Sequence, residues 1–337
     1  MVRRLAASAG MSMMSAFCLL ASNQAIADDA TRFFRIGTGG EGGTYYPVGS
    51  LIALALTASP DNPACAEGSC GVSDLVTVAQ LSGGSVANVE AIAKGSLEAA
   101  LAQGDVVHWA YTGTGVFDGQ TPNQRLRAIA NLYPESMHLV ALEDSGIRSV
   151  AELRGRRVSL DDRGSGTLVD ARLVLSAFGL AETDLQAQYV KPSVAMQRLS
   201  AGQLDAFFFV GGFPIRAVSE LASTADIRLV PVSGDGAREL LTQFPFFSAG
   251  AIPAATYRGV GTTPTINVNA QLIVRADLGE DLVHEITRTL WEKSTLRLLA
   301  EGHPKGSLIK PEDALAGLSI PLHPGAKRYY RSVGLLK

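Results

Sequence analysis

The strongest constraint on the fold of this chain is a repeated order along it. A short apolar or β-branched run leads into a loop of Gly, Ser, Thr, Asn or Gln, and an amphipathic stretch follows. That alternation is the pattern of α/β architecture. Phe33-Phe34-Arg35-Ile36 runs into GTGGEGGTYYP and then the helical stretch Val48–Thr57. Leu75–Ala79 runs into LSGGSVANVEAIAKG, Ala99–Ala102 ends at Gln103-Gly104-Asp105, and Ile129–Leu132 is a fourth run. Open α/β sheets bind ligands beyond the carboxyl ends of their strands, so these polar loops should gather on one edge.

A second unit with the same order begins near His138. HLVAL reads as a strand, SGIRSVAELRG as a short helix and RVSLDD as a buried strand. RGSGT then opens a helix over Leu168–Phe178 that Gly179 stops. Gln188–Val190, Ala206–Val210 and Arg228–Val232 are further strands. Thr265–Val274 reads as a long strand returning to the first unit, and Asp281–Ala300 as one amphipathic helix. A length of 337 residues suits two α/β lobes. The expected division is 31–136 plus 266–337 in one lobe and 137–265 in the other. Two lobes joined by two crossings form a clamshell whose cleft favours small ligands.

Arg3 and Arg4 precede an uncharged apolar and small-residue stretch, Leu5–Ala21, and Ala25-Ile26-Ala27 supplies the small residues of a cleavage site. Residues 1–27 therefore read as a secretory signal peptide, cut after Ala27. In an oxidising compartment Cys65 and Cys70, with four residues between them, read as a small disulfide, the alternative being two free thiols. No later run has the length of a membrane span. Apolar residues at 47% and charged residues at 18% exclude a disordered or fibrous chain. A formal charge of −3 without a basic run leaves no nucleic-acid footprint.

GTGGEG fits G-x-G-x-x-G after a strand. A dinucleotide site also needs an acidic residue about 20 positions on, and none ends the second strand, which closes at Gln80. What remains is backbone physics. Successive amides around Gly39 and Gly40, backed by a helix start, suit a small anion as well as a plain turn. Tyr45 and Tyr46 either wall a pocket or pack at the helix entrance. Ser85 caps the next helix or faces a ligand carboxylate, with Asn88 one turn in. Ser165, Gly166 and Thr167 form the matching loop of the second unit. Gly211 closes another strand in VGGFP, where Pro214 suits a first helical position.

The five histidines are scattered, and no metal-binding spacing occurs. No G-x-S-x-G surrounds Ser85 or Ser165. Asp161-Asp162 and Glu143-Asp144 read as solvated pairs, because adjacent strand side chains point to opposite faces. The residues thus describe a site that holds its ligand, with no cofactor, no metal and no enzymatic team.

IGTGGEGGTYYPVG, SGGSVANVEAI, AQGDV, GTGVFDG, NLYPE, ELRGRRVSL with GSGT, and LSIPLHPGAKRYY occur in one order from Phe33 to Leu335. Together they resemble the TAXI class of solute receptors that serve TRAP transporters. The resemblance implies a two-lobed periplasmic binding protein type II clamshell and a periplasmic, monomeric receptor for a small anionic solute. It implies a TRAP membrane permease as partner and uptake driven by an ion gradient. The implied ligands are small organic acids, either amino acids such as glutamate or dicarboxylates. The implied ligand shell is Gly39, Gly40, Tyr46, Ser85, Asn88, Gln103, Ser165 and Thr167. Three features depart from the family pattern: Gln103-Gly104-Asp105 stands where Q-S-D is usual, Phe209-Val210-Gly211-Gly212-Phe213 is less polar, and the cysteine loop is longer. A receptor for a membrane signalling partner and an exported enzyme are the alternatives. The enzyme reading requires a titratable cluster in the cleft.

Overall fold

The computed structural model describes residues 31–59 and 71–337. The expected signal segment and both Cys65 and Cys70 lie outside the described residues. The first stretch gives β1 (Arg32–Gly37), α1 (Tyr45–Leu56), β2 (Leu75–Gln80), α2 (Ser85–Ala93), β3 (Ala99–Gln103) and α3 (Gly104–Thr112). The long β4 (Leu126–Leu142) leads to β5 (Arg157–Ser159), α4 (Gly166–Ala177), β6 (Gln186–Gln188) and α5 (Pro192–Ser200). Then come β7 (Ala206–Gly211), α6 (Arg216–Thr224), β8 (Ile227–Leu229), α7 (Asp235–Gln243) and β9 (Ser248–Ile252). A second long strand, β10 (Thr263–Arg275), precedes α8 (Glu280–Leu290), α9 (Lys293–Gly302) and α10 (Pro324–Ser332).

The strands form one sheet ordered β2-β1-β3-β10-β4-β7-β5-β6, with β8 against β4 and β9 against β10. β1 pairs in parallel with β2 and β3, and β5 in parallel with β6 and β7. Between these parallel wings, β10 and β4 run antiparallel to each other and to their outer neighbours. Helices cover both faces of each wing, so a strand such as β7 (AFFFVG) is buried at every residue. On the β1 side Phe34, Ile52, Leu290 and Tyr330 fill one face, and Val89, Val106, Trp109 and Ile273 fill the other. On the β7 side Val158, Leu175, Phe208 and Leu240 fill one face, and Ala195, Phe207, Val218 and Leu221 the other. Val169 of α4 packs among the α3 residues Val106 and Trp109, so the wings touch there.

Two sequence expectations need correction. Ile129–Leu132 and His138–Leu142 are parts of one 17-residue strand, despite Pro134 between them. Pairing with β7 begins only at Ser136, so at Pro134 β4 has β10 alone beside it, and the missing N–H breaks no second ladder. Conversely, the helix expected over 281–300 breaks at Trp291–Glu292, where Glu292 has φ −68 and ψ 145. Trp291 is buried there, its indole N–H donating to the Tyr330 hydroxyl at 3.0 Å. That anchor overrides local helical preference.

Candidate ligand site

Five helices, α1 to α5, begin at strand-end loops, and their N-cap residues are Thr44, Gly84, Gln103, Ser165 and Lys191. All five N-caps line one cavity between the wings. A helix N-terminus carries unpaired amides and partial positive charge, so the convergence builds a site for oxygen atoms. Only α4 is capped by its own side chain, Ser165 Oγ accepting from the Leu168 amide at 3.1 Å. The other four have no such cap. The cavity is tight: about 50 Å³ of it is open to the centre of a water molecule, room for a few waters or one small solute's core.

The wings close around that space. The Ala87 amide donates to the Gly164 carbonyl at 3.0 Å, and Thr44 Oγ1 to the Gly212 carbonyl at 2.8 Å. Gln103 Nε2 donates to Asp170 Oδ2 at 2.9 Å. Approach is closest at Gly166, where a Cβ would lie 1.4 Å from Gln103 Oε1. Gly84 has φ +106, and this turn presses α2 against Ser165, whose Cα would be 3.2 Å from an added Cβ.

Gly39, Gly40, Ser85, Gln103, Ser165, Gly166 and Thr167 line the cavity. Thr167 is held by the Val210 amide, which donates to its hydroxyl at 3.0 Å. Three expected residues lie elsewhere. Asn88 sits behind the wall, its Nδ2 donating to the Thr38 and Leu101 carbonyls at 2.7 Å each, so it ties β1 to β3. Gly211 is packed against Phe209 and Thr44. Tyr46 is only half-buried and outside the lining, whereas its neighbour Tyr45 is buried and inside it.

Glu135, Lys305 and Asp161 escaped the sequence reading, whereas Tyr45 is one of the two tyrosines it offers as pocket wall or packing. Tyr45 donates its hydroxyl to Glu135 Oε2 at 2.6 Å. Burial pushes Glu135 up to about 8, although the Tyr45 hydrogen bond works against the shift. Lys305 faces Glu135 from the 3₁₀ turn Pro304–Leu308, and burial lowers its ammonium to about 8. Its Nζ stands 3.4 Å from the centre of the Phe213 ring. The expectation that Asp161 is solvated fails: it is 5% exposed and has φ +74. The left-handed backbone turns it out of strand alternation and into the cavity wall. Burial raises it to about 7, against the opposing pull of the Asp162 amide and the Thr167 and Ser165 hydroxyls. Asp161 follows the end of β5, so the strand-end rule that singles out Ser165 could have found it. The cleft thus holds titratable groups where none was expected. Tyr45 and Glu135 bond to each other, Asp161 accepts from the Asp162 amide, and no histidine is among the lining residues. Among the described residues no three His, Cys, Asp or Glu side chains are placed to hold a metal.

Parallel wings joined by two long strands, with a cleft between them, make the fold of type II periplasmic binding proteins, and solved structures agree. PhnD1 from Prochlorococcus marinus, in complex with methylphosphonate, has a TM-score of 0.51 at 12% identity, covering 90% of this chain and 99% of its own. A protein from Bordetella bronchiseptica RB50 gives 0.50 at 17% identity, with 92% and 90% covered. The alkanesulfonate-binding protein SsuA from Xanthomonas axonopodis pv. citri, bound to MOPS, gives 0.48 at 16%, with 90% and 94% covered. At such identities the likeness to the first two is one of fold. The chain itself belongs to the NMT1-like family, which it matches over residues 36–334.

Proposed function

We propose that this protein is a periplasmic solute receptor that closes on a small α-amino acid and delivers it to a TRAP permease. One observation carries the ligand reading: five helix N-termini converge on a single cavity between the wings, and four of them lack a side-chain cap. A ligand carboxylate supplies the missing oxygens. The charged lining residues are Glu135, Asp161, Asp162 and one cation, Lys191. A ligand ammonium group would pair with the buried Asp161 and Glu135 carboxyls and draw them back to the charged form, so an amino acid suits this wall better than a dicarboxylate that lacks one. Ser85, Gln103, Ser165, Gly166, Thr167 and the Gly39-Gly40 loop take the carboxylate side in this reading, and Asp161 and Glu135 the ammonium side.

The two wings act as lobes, 31–136 with 266–337 against 137–265, turning about β4 and β10. Export through residues 1–27 rests on the basic, apolar and small-residue order of that segment, and a monomeric state and the TRAP partner on the ordered motifs shared with TAXI receptors. Calorimetry against L-amino acids, C4 and C5 dicarboxylates, methylphosphonate and short alkanesulfonates tests the assignment. An amino acid should bind and return chemically unchanged after prolonged incubation. Binding confined to phosphonates or sulfonates would replace the ligand class, and no binding by any of these would end the receptor reading.

A further inference from the structure

The buried groups of the cleft include one contact that ligand binding does not explain. Asp105, the second residue of α3, belongs to the β3 side, and Asp170, on the first turns of α4, belongs to the β7 side. Asp105 is 0% exposed and Asp170 1%. Their carboxyl groups act on each other across the junction of the wings. Asp170 Oδ2 also accepts from Gln103 Nε2, which lines the cavity. Neither oxygen of Asp105, nor Oδ1 of Asp170, has a well-aligned hydrogen-bond partner among the described residues. The α3 amides of Asp105 and Val106 approach the Asp105 carboxyl without such alignment.

The charged surroundings give no compensation. Glu135 on β4 is a third acid and adds its field to Asp170. Lys305 acts on Glu135, while Tyr45 and Tyr133 flank that same carboxyl as neutral phenols. On its remaining side Asp170 meets Met137, Val210, Phe247, Ile266, Asn267 and Val268, which carry no charge. Two carboxylates in a dry contact without a cation cannot both be ionised, so one proton must lie between them.

We propose that Asp105 and Asp170 are a proton-sharing latch, so that closing the wings takes up a proton and alkaline conditions hold the receptor open. The inference rests on the wings moving as lobes, but not on the ligand's identity. With the wings apart, both carboxyls meet water and return to the ordinary carboxylate range. The closed form then binds more protons than the open form at neutral pH. Raising the pH favours whichever form binds fewer, which is the open one. For one proton the closing equilibrium falls by up to about tenfold per pH unit. The burial-driven rise of both carboxyls in the closed form agrees in direction.

Small-angle scattering of the whole ligand-free protein from pH 5 to pH 9, beside L-glutamate titrations at the same pH values, is the test. The wild type should expand as pH rises, and its L-glutamate affinity should weaken over the same interval. In Asp105→Asn the amide donates permanently to Asp170, so the compact radius should persist to pH 9. Asp170→Asn is the second variant, its amide donating to Asp105, and circular dichroism establishes that each is folded. A wild-type radius that ignores pH while L-glutamate binds equally well throughout overturns the latch and leaves the receptor reading standing. Variants that follow the wild-type pH dependence overturn it too. A pH-dependent radius abolished by Asp105→Asn, with no amino acid binding at any pH, upholds the latch and removes the ligand assignment instead.

Discussion

Glu135 shows how much one buried carboxyl can impose. Its ordinary value is 4.5, and in the folded chain burial raises it to about 8. Below pH 4.5 both folded and unfolded chains hold the proton. As pH rises toward 8 the unfolded chain gives it up and the folded chain does not, so stability falls across that window. Glu135→Gln should flatten this decline, by a few kcal/mol at most on about 1.4 kcal/mol per pK unit. Chemical denaturation at pH 5 and pH 8 measures it. A decline as steep as the wild type's would show that Glu135 is not its source. Tyr45→Phe removes the donor to Glu135 and should cost about 1–2 kcal/mol of stability while weakening ligand binding. The role of Glu135 is not visible in the sequence, which leaves Tyr45 and Tyr46 as equal candidates for the pocket wall. Glu135 lies opposite Val268 in the sheet, and that long-range pairing helps to bury it. Tyr45 and Tyr46 are adjacent aromatics at a helix start, and only the helix's rotation on the sheet decides which faces the cleft. Asp161 was hidden by its left-handed φ, since strand alternation describes only extended backbone.

At the scale of elements the strand–loop–helix unit was legible because its causes are local. Glycine and serine after an apolar run stop the strand, supply the turn and start the helix, and so α4 begins at Gly166 with Ser165 as its N-cap. Ser165→Ala removes the one side-chain cap among the five and should cost about 1 kcal/mol in thermal unfolding. Gly166→Ala acts differently. Its methyl group would meet the Gln103 amide, which can withdraw only by giving up Asp170. Calorimetry should show at least a tenfold loss of ligand affinity, with the melting temperature of the ligand-free protein nearly unchanged. Undiminished affinity would mean that the wings bind without this close approach. Boundaries set by distant contacts were not legible, and the break at Trp291 is the example. Its cause is a hydroxyl on Tyr330, and no glycine or proline marks the spot.

For the whole molecule, the proposed function requires an open form that lacks the contacts between the wings. The Ala87 amide makes one of the few backbone hydrogen bonds across them, to Gly164. Its hydrogen exchange should be fast in the free protein and slow by at least tenfold at saturating ligand, while β3 and β7 amides remain protected in both. Equal exchange with and without ligand would mean that the wings stay shut. Two wings could be expected from the repeated order of elements. Their union in one continuous sheet could not, because it depends on β10 finding β3 and β4 at once.

The place of β10 also governs how the chain can reach its fold. It is a central strand of the sheet, yet β3 and β4 have been synthesised long before residue 263 appears. Until then both present open edges that only the late strand can satisfy. Contacts so distant in sequence form slowly, and vectorial folding from the N-terminus stalls before the wings are joined. A nascent chain of this topology therefore stays incompletely folded until its final segment has emerged.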